Sequence, residues 1–240
     1  MSNKTCKLRQ EESLMQNLSK QIFIPIFDNM KLAENDFCQK CNAAYKTPLL
    51  PWIVGGEYEK SKYRLMIVGK PHRGDAVPVS KHAGTMDYCI DWLINCSWAY
   101  WSYSREIAQQ LYGSTGMNQI VMTNVVKCTN TEGKDTTTNE MLDNCIQRNG
   151  VIWREIRETR PLNILFYTHK LCASYLQAIP FQKELIKEER KSVMCGAKTM
   201  PWWERVVLTD WGKVKILVTN HPERMDKGDY VKLITDWVRK

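Results

Sequence analysis

The chain has 240 residues, of which 43% are hydrophobic, so it is long enough and apolar enough to bury the core of one large domain. Its 34 Lys and Arg residues exceed its 26 Asp and Glu residues, and this formal charge of +8 favours polyanionic partners such as DNA. No apolar run approaches the roughly 18 residues of a membrane span, and no basic-then-apolar leader is present, which argues against membrane-spanning and secreted classes. We therefore expect a cytoplasmic monomer without a membrane partner, folded as a single domain over residues 1–240, with residues 1–36 as an N-terminal helical extension.

The predicted helices and strands alternate along the chain. Helical spacing of apolar residues predicts helices over Glu11–Met30, Thr85–Asn95, Arg105–Tyr112, Thr138–Arg157 and Asp229–Arg239. Short apolar runs predict buried strands over Arg64–Val68, Ile120–Met122, Asn163–Tyr167 and Val214–Val218, whereas Phe181–Trp203 is predicted to be less regular. This alternation is typical of an α/β fold, here a central, mostly parallel, four-stranded sheet flanked by helices.

Polar residues capable of chemistry follow three of the predicted strands. The first strand runs into the loop 70–75, the second ends at Asn124, and the last is followed by His221. The carboxyl ends of parallel strands meet at one edge of a sheet, where such folds bind their ligands. We therefore expect these three segments to form one site.

Nine cysteines in a cytoplasmic chain are better explained by metal ligation or burial than by disulfides, because that compartment keeps thiols reduced. Cys38 and Cys41 are separated by two residues, whereas Cys128 and Cys145 are separated by sixteen. A zinc ribbon usually presents two close pairs, so the wide second spacing argues against structural zinc. A 4Fe-4S cluster requires four converging cysteines but no second Cys-x-x-Cys pair.

These motifs, in this order, resemble the family 4 uracil-DNA glycosylases, the iron–sulfur branch of the uracil-DNA glycosylase superfamily. The matching pieces are Cys38 to Cys41, Arg64 to Gly69, Ala83-Gly84, Thr123 to Cys128, Cys145, Arg160-Pro161 and His221-Pro222. The similarity runs over roughly residues 37–240, and its most specific part is Thr-Asn-Val-Val-Lys-Cys at 123–128 combined with the cysteine spacing. It implies the uracil-DNA glycosylase-like fold, DNA as the partner, and a 4Fe-4S cluster held by Cys38, Cys41, Cys128 and Cys145.

The resemblance also implies roles for residues after the second and last strands. Asn124 matches the residue that reads the amide edge of the base, and His221 matches the histidine that donates to the pyrimidine oxygen. The alternatives are that Asn124 is a turn former at a strand end and that His221 is an exposed loop residue, the interpretation that the residues alone would favour for the histidine. Arg224 and Met225 are candidates for a DNA-binding wedge that fills the gap left by a flipped nucleotide.

The loop after the first strand departs from the family pattern. Lys70 stands where the family has Glu, and Pro-His-Arg at 71–73 replaces Ala-Pro-Gly, so His72 joins Lys70 as a candidate for base binding and Arg73 for DNA binding. Asp75 is the only nearby carboxylate, and it either positions the attacking water as a catalytic residue with His221 or is a solvated turn residue. Val79 replaces the family's stacking Phe, which would leave room over the base.

The altered loop leaves more than one function open. A roomier pocket predicts either uracil or a bulkier modified pyrimidine as the excised base, for example in phage DNA, so the pathway is repair or antiviral defence. A second hypothesis is a nucleic-acid-binding protein that kept the fold and the cluster but lost catalysis. A third is a structural module that carries zinc in place of iron and sulfide.

Overall fold

The computed structural model describes residues 21–26, 28–32, 34–43, 53–70, 94–128 and 137–240. The strands in these ranges are β1 (Ile53–Val54), β2 (Leu65–Gly69), β3 (Ile120–Asn124), β4 (Asn163–Phe166), β5 (Glu184–Cys195), β6 (Lys198–Thr209) and β7 (Gly212–Thr219). They form a single sheet in the order β1-β3-β2-β4-β7-β6-β5. The molecule is therefore a mixed α/β structure with a seven-stranded sheet in its described part.

Helices cover this sheet. They are α1 (Asp36–Lys40), α2 (Ala99–Tyr112), α3 (Asn139–Leu142), α4 (Val151–Thr159), α5 (His169–Cys172) and α6 (Lys227–Arg239), and residues 21–26 and 28–30 are also helical. Short 3-10 turns occupy Tyr58–Lys60, Gly116–Gln119 and Tyr175–Gln177. No helix among the described residues is both long enough and apolar enough to cross a membrane.

The centre of the sheet consists of the four strands that the sequence predicted. β3, β2, β4 and β7 are parallel neighbours in that order. Alternate residues of each strand belong to two separate buried clusters: Val121, for example, packs with α3 and α4, whereas Ile120 and Met122 pack with α2 and α6. A strand buried on both faces reads as a continuous apolar run, which is why these four were visible in the sequence.

The sheet has more strands than the four that were predicted, because three antiparallel strands extend it. β1 pairs with β3 at one edge, and β6 and β5 follow β7 at the other. β5 and β6 form a long hairpin that covers most of the stretch 181–203, which was predicted to be less regular. β5 is an edge strand whose residues are almost all exposed and often charged, so it lacks the apolar alternation that reveals a half-buried strand.

The predicted helix Thr138–Arg157 is also wrong as a single element. α3 ends at Leu142, a π-helical turn spans Asp143–Arg148, and Gly150 has a left-handed backbone (φ 61°) before α4 begins. The predicted helix at 105–112 is confirmed but begins earlier, at Ala99, and the helix at 229–239 is confirmed within α6. The predicted helices at 11–30 and 85–95 lie largely outside the described residues.

Candidate functional site

Four cysteines from three separate parts of the chain line one small cavity. Cys38 lies on α1 and Cys41 directly follows it, Cys128 lies beyond the end of β3, and Cys145 lies on the π-helical turn. The rest of the lining consists of Ala43, Val126, Met141 and Asn144. The structure thus brings together at one place the four thiols that the sequence singled out.

Local hydrogen bonds shape two of the three segments that carry these thiols. Asn35 caps α1 by accepting from the Cys38 backbone N–H (2.9 Å), and the Cys41 N–H donates to the Cys38 carbonyl (3.2 Å), which closes a tight turn between the paired cysteines. Thr138 caps α3 in the same way, accepting from the Met141 N–H at 3.2 Å. π-Helical turns of this kind are rare and occur frequently at functional sites.

Burial disfavours the ionised form of one thiol in the cavity. Burial raises the pKa of the Cys145 thiol to about 12, and the neighbouring Cys38 and Cys41 add to the rise, while the Lys127 backbone N–H opposes it. A thiolate at this position therefore needs positive charge beside it, which a thiolate-bound metal supplies as it displaces the protons. A donor set of sulfur alone suits zinc or an iron–sulfur cluster. Within the described ranges, however, no three His, Cys, Asp or Glu side chains stand close enough together to hold a single metal ion.

A second cluster of functional side chains lies at the carboxyl ends of the parallel strands. Asn124 is the last residue of β3 and is paired with Gly69, the last residue of β2. The Tyr100 ring, from the first turn of α2, lies beside Gly69, and its hydroxyl donates to the Thr123 carbonyl at 3.1 Å. His221 follows the end of β7, and its ring stacks on that of Tyr100, with 6.5 Å between centroids and 14° between planes.

His221 is held in a defined orientation. Its Nδ1 accepts a hydrogen bond from the Glu223 backbone N–H at 3.2 Å, so in the neutral imidazole the proton lies on Nε2. The edge of the buried Tyr167 ring packs against it, with centroids 6.2 Å apart and planes at 73°. The His221 side chain is 25% exposed, so an external group can reach it.

A buried polar network connects the end of β3 with α4. The Lys127 ammonium contacts both carboxylate oxygens of Glu155, at 2.7 and 2.9 Å, and donates to the Thr123 hydroxyl at 2.7 Å and the Asn124 carbonyl at 2.6 Å. Thr123 in turn donates to Glu155 at 2.8 Å. The network therefore anchors the backbone of Asn124 to α4 through Lys127 and Glu155.

Burial acts against both charges of this pair. It lowers the pKa of Lys127 and raises the pKa of Glu155, because each ionised group has lost its water. Their mutual attraction and hydrogen bonds act in the opposite direction, towards the ionised forms. Each member therefore depends on the other, and removing one would leave an uncompensated charge in the core.

The remaining predicted site residues are placed differently. Lys70 follows β2 directly and is half-buried, whereas His72, Arg73, Asp75 and Val79 lie outside the described residues. Arg224 is exposed, with a left-handed backbone (φ 71°), and its carbonyl accepts from the Lys198 ammonium at the hairpin tip. Met225 is half-buried against the core, and its carbonyl accepts from the Tyr103 hydroxyl at 2.8 Å. Arg224 is thus the more exposed member of the predicted wedge.

Sequence reasoning missed two residues of this region. Glu155 had a detectable signal, since it lies among Ile152, Ile156 and Thr159 on the buried face of α4, where a lone carboxylate is out of place. Tyr100 had none, because a tyrosine in a run of aromatic residues is more often part of the core than of a binding site. Its neighbours at the site lie far away along the chain.

A scan of protein-family models and a search of curated proteins found no match to this chain. The similarity to the iron–sulfur uracil-DNA glycosylases remains an expectation drawn from the motif at 123–128 and the cysteine spacing.

Proposed function

We propose that the protein is a monofunctional DNA glycosylase that hydrolyses the N-glycosidic bond of uracil, or of a bulkier modified pyrimidine, and leaves an abasic site. The observation that carries the proposal is the grouping of Asn124, Tyr100 and His221 at the carboxyl edge of the parallel strands. An amide, an aromatic ring and an imidazole are the groups that a site needs to recognise a planar, polar base.

The chemistry requires stabilisation of two charges. As the bond between sugar and base breaks, positive charge grows on the deoxyribose and negative charge grows on the leaving base. His221 is suited to the second task, because its Nδ1 accepts from the Glu223 N–H, so that in the neutral ring Nε2 carries the proton that a base oxygen would accept. Asn124 offers a donor and an acceptor side by side, which complements the amide edge of a pyrimidine. We assign the activation or positioning of water to Asp75.

Tyr100 contributes to the selection of the base. Its ring is fixed by the hydrogen bond to Thr123 and contacts both the Gly69 backbone and the imidazole of His221. A base held by Asn124 would therefore meet this ring at one side of the site, where stacking contributes about 1–3 kcal/mol. The choice between uracil and a bulkier base then depends on the loop that includes Lys70, His72 and Val79.

The four thiols support a 4Fe-4S cluster as the cofactor of this enzyme. Cys38, Cys41, Cys128 and Cys145 would hold it, and their wide separation along the chain means that it would fasten the N-terminal segment to the loop after Asn124. When bound, the cluster supplies structural cross-linking and positive charge for the thiolates, because hydrolysis transfers no electrons. Base recognition and bond cleavage belong to the chain's own side chains.

The proposal is tested by incubating anaerobically purified protein with DNA containing uracil, hydroxymethylated or sugar-bearing pyrimidines and scoring alkali-labile abasic sites. Base release from at least one substrate is expected. Activity on uracil alone would reject the enlarged pocket, while DNA binding without base release from any substrate would favour the catalytically inactive nucleic-acid-binding alternative.

Asp75→Ala provides the matched test of catalysis. It should abolish base release and leave DNA affinity unchanged. Asp210→Ala is the control, because Asp210 is an exposed carboxylate in the β6–β7 turn at the opposite edge of the sheet, where it pairs with Lys183. Equal loss of base release in both variants would contradict a specific role for Asp75.

A further inference from the structure

One side chain of the thiol cavity has a hydrogen-bonding group without an acceptor among the described residues. Asn144 immediately precedes Cys145 on the π-helical turn, lines the cavity and is 2% exposed. Its Oδ1 accepts from the Arg148 guanidinium at 2.9 Å, whereas its Nδ2 is buried and has no hydrogen-bond partner in the part of the chain that the structure describes. Because a guanidinium can only donate, the contact with Arg148 determines which end of the amide is the oxygen.

A buried amide N–H without an acceptor is unfavourable, since it has lost its water and gained nothing in return. The neighbouring thiols are weak acceptors while they are protonated, but thiolates and inorganic sulfide are stronger ones. An amide–sulfur contact already exists at this site, where Asn149 Nδ2 donates to Cys38 Sγ at 3.6 Å. The unpaired Nδ2 of Asn144 therefore fits a cavity that contains anionic sulfur.

We propose that Asn144 Nδ2–H donates a hydrogen bond to a sulfur of the bound cluster. Arg148 is the positioning residue, because its contact with Oδ1 orients Nδ2 towards the cavity. This role rests on the proposed 4Fe-4S cofactor. A hydrogen bond to sulfur stabilises the more negative, reduced state, so it raises the reduction potential of the cluster. It also lowers the electron density that oxygen attacks, so it protects the cluster in air.

The test uses the full chain, purified anaerobically as wild type, Asn144→Leu, Asn144→Asp and Arg148→Met. Iron content, visible absorbance, the midpoint potential from a dithionite titration and the rate of bleaching in air are measured. Asn144→Leu should shift the midpoint to more negative potential and bleach faster, by about the 10-fold factor that lost outer-shell contacts cost in metal affinity or activity. Asn144→Asp should shift it further, because it adds negative charge. Arg148→Met should shift it less, since the amide stays.

Asn163→Leu is the matched control, because Asn163 is an equally buried amide at the start of β4, where its Nδ2 donates to the Tyr63 carbonyl at 2.7 Å. It should leave the midpoint and the bleaching rate unchanged. If both Asn144 variants bind iron and have the wild-type midpoint potential and bleaching rate, the role of Asn144 is overturned, whereas the proposed cofactor is not. A wild type that binds no iron would overturn both the cofactor and this role.

Discussion

A methyl group added at Gly69 would lie 2.5 Å from Asn124 Oδ1 and 2.5 Å from Tyr100 Cε2, closer than real Cβ contacts. Gly69 therefore allows the amide and the aromatic ring to approach the end of β2 together. We predict that Gly69→Ala displaces these two side chains, lowers the free energy of unfolding by about 1–3 kcal/mol and reduces base release more than DNA affinity. Urea denaturation and single-turnover assays measure the two effects.

Gly228→Ala is the control for that substitution. A methyl group there would meet only Asp226 Oδ1, at 3.5 Å, which is an ordinary contact, and the position lies in the first turn of α6. Stability should stay the same or rise slightly, because Ala is the better helix former. If the two variants lost equal base release, the close approach at Gly69 would have no special role.

Arg224 combines an exposed cationic side chain with a strained backbone. Its left-handed φ of 71° is costly for any residue with a Cβ and free for glycine. We predict that Arg224→Gly keeps the free energy of unfolding or raises it by up to ~1 kcal/mol. The same change should weaken DNA binding and reduce its dependence on salt, since a phosphate or wedge contact is lost.

Arg160→Gly separates these two effects. Arg160 also has a left-handed backbone (φ 46°) and an exposed side chain, but it precedes β4 at the opposite edge of the sheet. Arg160→Gly should change the free energy of unfolding as Arg224→Gly does but leave the DNA affinity unchanged. Fluorescence anisotropy with labelled duplexes measures that affinity. Equal weakening in both variants would show that only net charge matters.

At the level of elements, the contact between β3 and α4 depends on a buried ion pair. The side chains of Lys127 and Glu155 are 2% and 0% exposed, so either one alone would be an unpaired charge in the core. We predict that Lys127→Met or Glu155→Leu each lowers the free energy of unfolding by about 3–5 kcal/mol, and that the double variant recovers most of the loss. Urea denaturation of the wild type, the two single variants and the double variant measures the coupling energy as a double-mutant cycle.

The same pair should matter for the site, because Lys127 also donates to the Asn124 carbonyl. The stable double variant is therefore expected to keep its fold and yet release bases more slowly, since the amide loses its anchor. Additive losses in the two single variants, with no recovery in the double variant, would mean that the side chains act independently.

For the molecule as a whole, the thiol cavity joins segments that are far apart in the sequence. Cys38 precedes the sheet, whereas Cys128 and Cys145 follow β3, so a shared ligand would cross-link them. We predict that Cys38→Ser or Cys128→Ser lowers soluble yield and visible absorbance, and that chelation lowers the melting temperature of the wild type. Cys172→Ala, at a buried thiol outside the cavity, should keep the colour. A colourless, fully active wild type would contradict the cofactor.

Sequence patterns predicted the elements that are buried on both faces or strongly amphipathic. The four parallel strands read as apolar runs, and the helix at 229–239 showed its period, because local burial leaves a local pattern. β5 left none, since an exposed edge strand is stabilised by backbone pairing with β6. The break at Gly150 was also hidden, because the apolar period continues on both sides of it.

By itself, the sequence determined which residues can carry chemistry. They are four cysteines whose spacing is compatible with a shared cluster, an amide at a strand end and a histidine in a loop. Only the tertiary structure decided that the thiols share one cavity and that the ring of Tyr100 stands beside Gly69 and His221. It also revealed Glu155 as the partner of Lys127. The reason is physical: residue type and period are local properties, whereas the approach of distant side chains is determined by how helices pack on a sheet.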